Sequence, residues 1–153
     1  MPDMLVHLLK LPEQKPALQG ITIRRAQPFE LTPVRQFIEQ HFSIGWADEA
    51  TVGFSNKPVS VFLATQEGKI LGFAAYETTR RGFFGPTGVA ESQRGKGLGA
   101  ALLIASLQGL RDMGYAYAII GGAGPTDFYT KAVGAIPIEN STPGIYTDML
   151  KPD

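Results

Sequence analysis

Val89-Ala90-Glu91-Ser92-Gln93-Arg94-Gly95-Lys96-Gly97-Leu98-Gly99-Ala100 is the stretch on which the reading of this chain turns. Ahead of it runs Phe83-Phe84-Gly85-Pro86-Thr87-Gly88-Val89, apolar and rich in glycine, which reads as a strand with a bulge. Behind it, Ala100-Ala101-Leu102-Leu103-Ile104-Ala105 reads as the body of a helix. Strand, glycine-rich turn and helix in that order leave unpaired N–H groups at a helix N-terminus, where the macrodipole is positive. Glycine at 95, 97 and 99 removes the Cβ that would hold an anion away from the backbone. Arg94 and Lys96 add positive charge. The pattern predicts a pyrophosphate-binding loop.

Two familiar phosphate motifs fit poorly. A nucleoside-triphosphate loop, G-x-x-x-x-G-K-[ST], finds its centre in Gly95-Lys96. Ala90 then stands at the first glycine and Gly97 at the metal-binding hydroxyl. A dinucleotide fingerprint is matched by Gly95, Gly97 and Ala100, but it needs an acidic residue at the end of the next strand to hold a ribose. That strand, Tyr115 to Ile120, runs into Gly121-Gly122-Ala123-Gly124 with no acid. The motif also lies past the middle of the chain, too late for the rest of a doubly wound sheet.

Arg94-Gly95-Lys96-Gly97-Leu98-Gly99 resembles the R/Q-x-x-G-x-G/A motif of the GNAT N-acetyltransferases. Val89, five residues upstream of the arginine, matches the end of that family's fourth strand. Phe128-Tyr129-Thr130-Lys131-Ala132-Val133-Gly134-Ala135 is similar to the family's F-Y-x-K-x-G-F segment, with one extra residue before the glycine and Ala135 in place of the aromatic. The resemblance covers roughly residues 21–150 in element order and is strongest from 68 to 139.

The resemblance implies an α/β (α+β) fold. Its central sheet is mixed and mostly antiparallel, with a splayed parallel pair of strands and helices on both faces. It implies acetyl-CoA as co-substrate, held by Val89, Ala90, Arg94, Gly95, Lys96, Gly97, Leu98, Gly99, Ala100 and Tyr129. The pantetheine arm would pair with backbone groups that the bulged strand leaves free near Val89. The Val89 N–H would receive the oxyanion. Tyr129 matches the position of the general acid. The region between the first and second strands helps to shape the acceptor pocket in such proteins, which makes Trp46, Phe54, Ser55 and Asn56 candidate acceptor contacts.

Elementary acyl-transfer chemistry states what such a site must do. An alkylammonium with pKa near 10 holds its proton at pH 7 by about 4 kcal/mol, so a base or a water chain must remove it before attack. The tetrahedral oxyanion needs a donor. The leaving thiolate benefits from an acid such as a tyrosine. Many GNAT relatives carry a glutamate in the central strand, but Phe83 to Val89 contains no carboxylate. Glu91 follows the strand and is expected to serve the loop. Glu77, at the end of the preceding strand, is the candidate base, acting through water. The reaction expected is acetyl transfer from acetyl-CoA to the amine of a small molecule by direct attack. The alternatives are O-acetyl or longer-acyl transfer, or acyl-CoA binding without turnover as a sensor or interaction module.

Composition limits the other classes. At 153 residues, 44% hydrophobic and 18% charged, the chain has the balance of a soluble globular protein. It reads as one domain over 1–153, with residues 1–20 as an extension that the resemblance does not cover. Lys plus Arg equals Asp plus Glu, 14 each, so no global field points to nucleic acid or a membrane surface. The absence of Cys excludes a disulfide scaffold, a thiolate zinc site and a cysteine nucleophile. With only His7 and His41, a histidine metal cluster is not expected, and both histidines read as packing residues. There is no signal-peptide pattern and no run of about 20 apolar residues. The default location is the cytoplasm. A homodimer through an edge strand is compatible with the fold.

The remaining pattern supplies the elements. Met4 to Leu9 is a short apolar piece, expected as an added edge strand or arm. Residues 21–26 alternate as a strand. Thr32-Pro33 reads as an N-cap with proline at N1, opening an amphipathic helix through Val34, Phe37, Ile38, His41 and Phe42. Residues 43–58 read as a mixed segment. Val59 to Thr65 and Ile70 to Thr78 form a hairpin about Gln66-Glu67-Gly68-Lys69. A helix is expected over 97–113 with Gly114 as its stop. Tyr115 to Ile120 reads as a strand buried on both faces, 126–133 as a short helix, and 136–138 and 145–150 as the last two strands.

Overall fold

The computed structural model describes residues 1–16 and 18–152. Its strands are β1 (Met4–His7), β2 (Thr22–Arg25), β3 (Val61–Gln66), β4 (Lys69–Tyr76), β5 (Phe83–Val89), β6 (Tyr117–Ile120) and β7 (Ile136–Pro137). Its α-helices are α1 (Leu31–His41), α2 (Ile44–Val52), α3 (Leu98–Asp112) and α4 (Thr126–Val133). The strands form one sheet in the order β2-β3-β4-β5-β6-β1-β7. Every neighbouring pair is antiparallel except β5 and β6.

The alternation of β4 sorts the core into two layers. Ala74 and Tyr76 face α3, in a cluster with Leu102, Leu103, Leu107 and Leu110 that also takes Tyr129 and Val133 of α4. Phe73 and Ala75 face the opposite way, onto Val34, Phe37 and Ile38 of α1 and Ala47 and Ala50 of α2. Helices therefore cover both faces. Two glycines admit large partners. A Cβ on Gly109 would stand 2.6 Å from the Tyr76 hydroxyl, and one on Gly88 would enter the Phe42 ring. The β3–β4 hairpin turns through Glu67 (φ 50°) and Gly68 (φ 75°), both left-handed, a backbone that matches the twist of the strands it joins.

Four sequence expectations are corrected. The N-terminal piece is neither an edge strand nor an arm. β1 lies between β6 and β7, and Met4 and Val6 are fully buried. Residues 145–150 form no strand, because Gly144 (φ 58°) and Asp148 (φ 50°) turn the chain out of the extended conformation. β6 is buried on one face only: Ala118 and Ile120 are inside, whereas Tyr117 is exposed. The first helix begins at Leu31 without a Thr32 cap. A 3-10 turn over Pro28–Glu30 precedes it, closed by a reciprocal Gln27–Glu30 capping box.

The segment 43–58 is more regular than expected. Ser43 caps α2 by accepting the Trp46 N–H at 3.1 Å. A helix here sets Trp46 and Glu49, three residues apart, on one face.

Candidate active site

β5 carries the site because it is bulged and then left by its neighbour. Ala74 pairs with Thr87 and Tyr76 with Phe84, so Gly85 and Pro86 together oppose Ala75. That two-against-one count is a β-bulge. Gly85 (φ 121°) supplies a backbone that a side chain would resist. On the other side, β5 and β6 pair only at Phe83–Ile119 and Phe84–Ile120. Beyond Phe84 the two strands part, and a cleft of about 720 Å³ opens between them. Its walls include Thr87, Gly88 and Val89 of β5, the loop from Gln93 to Ala100, Gly121 to Pro125 after β6, and Phe128 and Tyr129 of α4.

The polar groups of the cleft come from the backbone. Ala90 donates its N–H to Leu71 at 2.9 Å, and Val89 lies directly opposite Gly72. Bonded and unbonded pairs alternate along an antiparallel ladder, so the Val89 N–H points away from β4 and into the gap. The Val89 carbonyl, on the same side, accepts the Arg94 Nε–H at 3.3 Å. The first helical bond of α3 runs from the Ala101 N–H to Gly97. Among the described residues, the N–H groups of Gly95, Lys96, Gly97, Leu98, Gly99 and Ala100 meet no protein acceptor. Gly95 (φ 84°) and Gly97 (φ 77°) are left-handed, and neither would meet another atom within 4 Å of an added Cβ. Lys96 donates to Gln93 at 2.7 Å, and no described carboxylate pairs with it or with Arg94. The loop is thus a row of six free donors at a helix N-terminus with two uncompensated cations beside it.

Tyr129 meets this cleft from α4. Its ring packs edge-on against Phe84 and Phe128, at 6.4 and 5.2 Å between centroids. It is 6% exposed, and its hydroxyl has no side-chain partner among the described residues. Burial raises its pKa above the ordinary value near 10, because an apolar surrounding disfavours the phenolate. The group therefore stays protonated through the neutral range.

A second chamber of about 400 Å³ adjoins the cleft and shares Trp46, Phe84, Gly85, Pro86, Gly121 and Gly122 with it. Met1 borders both, and Glu49, Thr79, Thr142, Pro143 and Tyr146 complete the chamber's wall. Trp46 stacks on Phe42 at 5.4 Å and meets Phe73 at 6.4 Å. The Phe42 ring in turn fills the space that Gly88 leaves. The Tyr146 hydroxyl leans over Gly121, where an added Cβ would stand 2.8 Å from it. Burial raises the Tyr146 pKa, and the Glu49 and Asp3 carboxylates push it in the same direction.

The structure brings Val89, Arg94, Gly95, Gly97, Leu98, Gly99, Ala100, Tyr129 and Trp46 to one cleft. Ala90 is buried beneath the loop, and Lys96 lies at its exposed rim. Glu77 is elsewhere. It lines a separate cavity with Arg25, Tyr76 and Tyr115, and its two oxygens accept the Gly82 N–H at 2.7 Å and the Tyr115 hydroxyl at 2.8 Å. A base acting from Glu77 through water has no geometric support. Asn56 faces that same cavity, donating to Ser60 and to the Glu77 carbonyl. Phe54 packs on the α1–α2 core, and Ser55 is exposed. Of the candidate acceptor contacts, Trp46 alone reaches the cleft. Glu49, Thr79 and Tyr146 were not singled out by sequence. The signal for Glu49 was available in the Ser43 cap, which makes α2 a helix and turns Glu49 to the Trp46 side.

The Acetyltransferase (GNAT) family model matches residues 22–134. The chain belongs to the GNAT acetyltransferase family. No curated protein sequence matches it. Among solved structures, it is similar to a GCN5-related glucosamine N-acetyltransferase region of a fungal multi-domain GH3 β-N-acetylglucosaminidase. The TM-score is 0.73 and the identity 18%, over 90% of this chain and 19% of that one. A GCN5-related N-acetyltransferase from Sphaerobacter thermophilus follows at TM-score 0.70 and 22% identity, over 90% and 48%. A GNAT acetyltransferase from Brucella melitensis in complex with acetyl-CoA aligns at TM-score 0.55 and 21% identity, over 74% and 82%. The chain spans less than half the length of the first two. At these identities the likeness is one of fold.

Proposed function

We propose that the protein transfers an acetyl group from acetyl-CoA to the amine of a small molecule. The observation that carries this reading is the parting of β5 from β6 beside six unpaired N–H groups, with the Tyr129 hydroxyl in the same cleft. The residues fit acetyl-CoA. The unpaired donors from Gly95 to Ala100 at a helix N-terminus suit the oxygens of a pyrophosphate, and Arg94 and Lys96 add charge. The open edge of β5 offers groups with which an amide-bearing pantetheine arm can pair as a strand would.

Each residue then has a stated task. The Val89 N–H donates to the thioester oxygen as it becomes negative. Such a donor is worth roughly 10²- to 10³-fold in rate. Tyr129 gives its hydroxyl proton to the departing thiolate, and burial keeps that proton in place until the sulfur needs it. Trp46 and Phe84 shape the end of the cleft where the acceptor enters. A small acceptor suits the second chamber, which offers about 400 Å³. No helix of the described chain is long and apolar enough to cross a membrane.

Turnover tests the reading. Purified protein with acetyl-CoA and a panel of small primary amines should release free thiol, detected with a thiol-reactive dye, and form the N-acetyl product by mass spectrometry. Thiol release with product on a hydroxyl instead would assign O-acetylation. Tight acetyl-CoA binding with no product from any acceptor, even at high pH, would remove the enzyme reading.

A further inference from the structure

The chamber beside the cleft has a composition that selects a charge. Three of its walls are aromatic faces, from Trp46, Phe84 and Tyr146. Among the described residues, Glu49 is the one charged side chain that lines it. Such a pairing of aromatic faces with a carboxylate attracts organic cations, and the attraction strengthens as water is excluded. Glu49 is half-buried and fixed: Oε2 accepts the Thr79 hydroxyl, whereas Oε1 accepts from no described residue. Asp3, whose Oδ1 accepts the Gly122 N–H at 2.8 Å, adds a second negative charge that is felt at Tyr146. Arg35 of α1 spends its guanidinium on Asp48, Glu39, Thr51 and the Ala47 carbonyl, and among the described residues no cation forms an ion pair with Glu49.

We propose that this chamber is the acceptor subsite for a small alkylammonium, and that Glu49, through Oε1, receives the cation and takes its proton. The proposal rests on the acetyl-transfer reading and supplies the base that β5 lacks. The ammonium gives one N–H proton to Oε1. The freed lone pair forms the C–N bond to the acetyl carbonyl as the C–S bond breaks. The thiolate takes the Tyr129 proton, and the second amine proton leaves to solvent as the amide forms. Tyr129 regains a proton from solvent. Oxidation states do not change.

A matched pair of acceptors tests it. Benzylamine is a cation at pH 7, whereas aniline of similar size is neutral. Glu49→Gln should lower kcat/KM for benzylamine by roughly 10²- to 10⁴-fold, the span of general-base catalysis, and leave aniline near its wild-type value. With Glu49→Gln, the benzylamine rate should climb with pH as free amine accumulates. Calorimetric titration of benzylamine into CoA-loaded protein should show binding to wild type and none to Glu49→Gln. An unchanged thermal shift with acetyl-CoA establishes that the variant is folded. Equal losses for both amines, unchanged benzylamine kinetics, or no benzylamine binding to wild type would overturn the proposal. Failure of acetyl-CoA to stabilise even wild type would instead remove the acetyl-transfer reading beneath it.

Discussion

Tyr129 is the residue whose chemistry is easiest to isolate. Its hydroxyl bonds to no described side chain, so Tyr129→Phe removes a proton donor without orphaning a partner. Turnover should fall by roughly 10²-fold or more, while the thermal shift with acetyl-CoA remains. The pH dependence has a definite sign. Burial raises the folded pKa above the unfolded value near 10, so the acid form, and the stability that goes with it, is fully present below pH 10. Both are lost only as pH rises through the folded pKa. No alkaline limb from this group should appear in kcat below about pH 10. A limb near pH 8 that vanishes in Tyr129→Phe would contradict the assignment. Gly88 tests the wall instead of the chemistry. An alanine there drives a methyl into the Phe42 ring, which supports Trp46. Gly88→Ala should cost about 1–3 kcal/mol in urea unfolding, as overpacking does.

At the scale of elements, β1 separates what the fold needs from what the family pattern covers. The family model begins at residue 22, yet Met4, Val6 and Leu8 are fully buried and β1 joins β6 to β7. Met4→Ala or Leu8→Ala should each destabilise by about 2–5 kcal/mol. A neutral result in denaturant titration would mean that β1 is not part of the cooperative unit. The strand was hard to place from sequence because a short apolar run says that it will be buried, not where in a sheet it inserts. β7 lies where residues 136–138 were expected to form a strand, whereas the tail departs for a related reason: Ile145 to Leu150 has strand composition, but Gly144 and Asp148 adopt turn conformations that composition does not dictate. By contrast, α3, the β3–β4 hairpin and β5 were legible, since their periodicity, turn residues and paired glycine and proline are local signals. The loop donors were legible for the same reason. The base was not. Glu77 stood at a plausible place in the chain, but its positive φ of 57° turns its carboxylate into the Thr78–Gly82 turn.

For the whole molecule, one sheet, forced apart between β5 and β6, makes a cleft and an adjoining chamber, proposed above to take coenzyme and acceptor. The sheet ends in β2 and β7. Gly99 lets the central claim be tested without harming the fold. It lies in the first turn of α3 with an ordinary φ, and an added Cβ would point at Phe128 and Val89 at 3.7 and 4.0 Å. Gly99→Leu should therefore fill the cleft while gaining up to about 1 kcal/mol of helix propensity. The decisive measurement is thermal unfolding of wild type and Gly99→Leu with acetyl-CoA, CoA, ATP and NAD. At 100 times the dissociation constant, the coenzyme should add about 2.7 kcal/mol to wild type. The account predicts that both CoA species stabilise wild type and that neither stabilises a folded Gly99→Leu. Stabilisation by ATP or NAD in their place, or an undiminished CoA response in the variant, would contradict it.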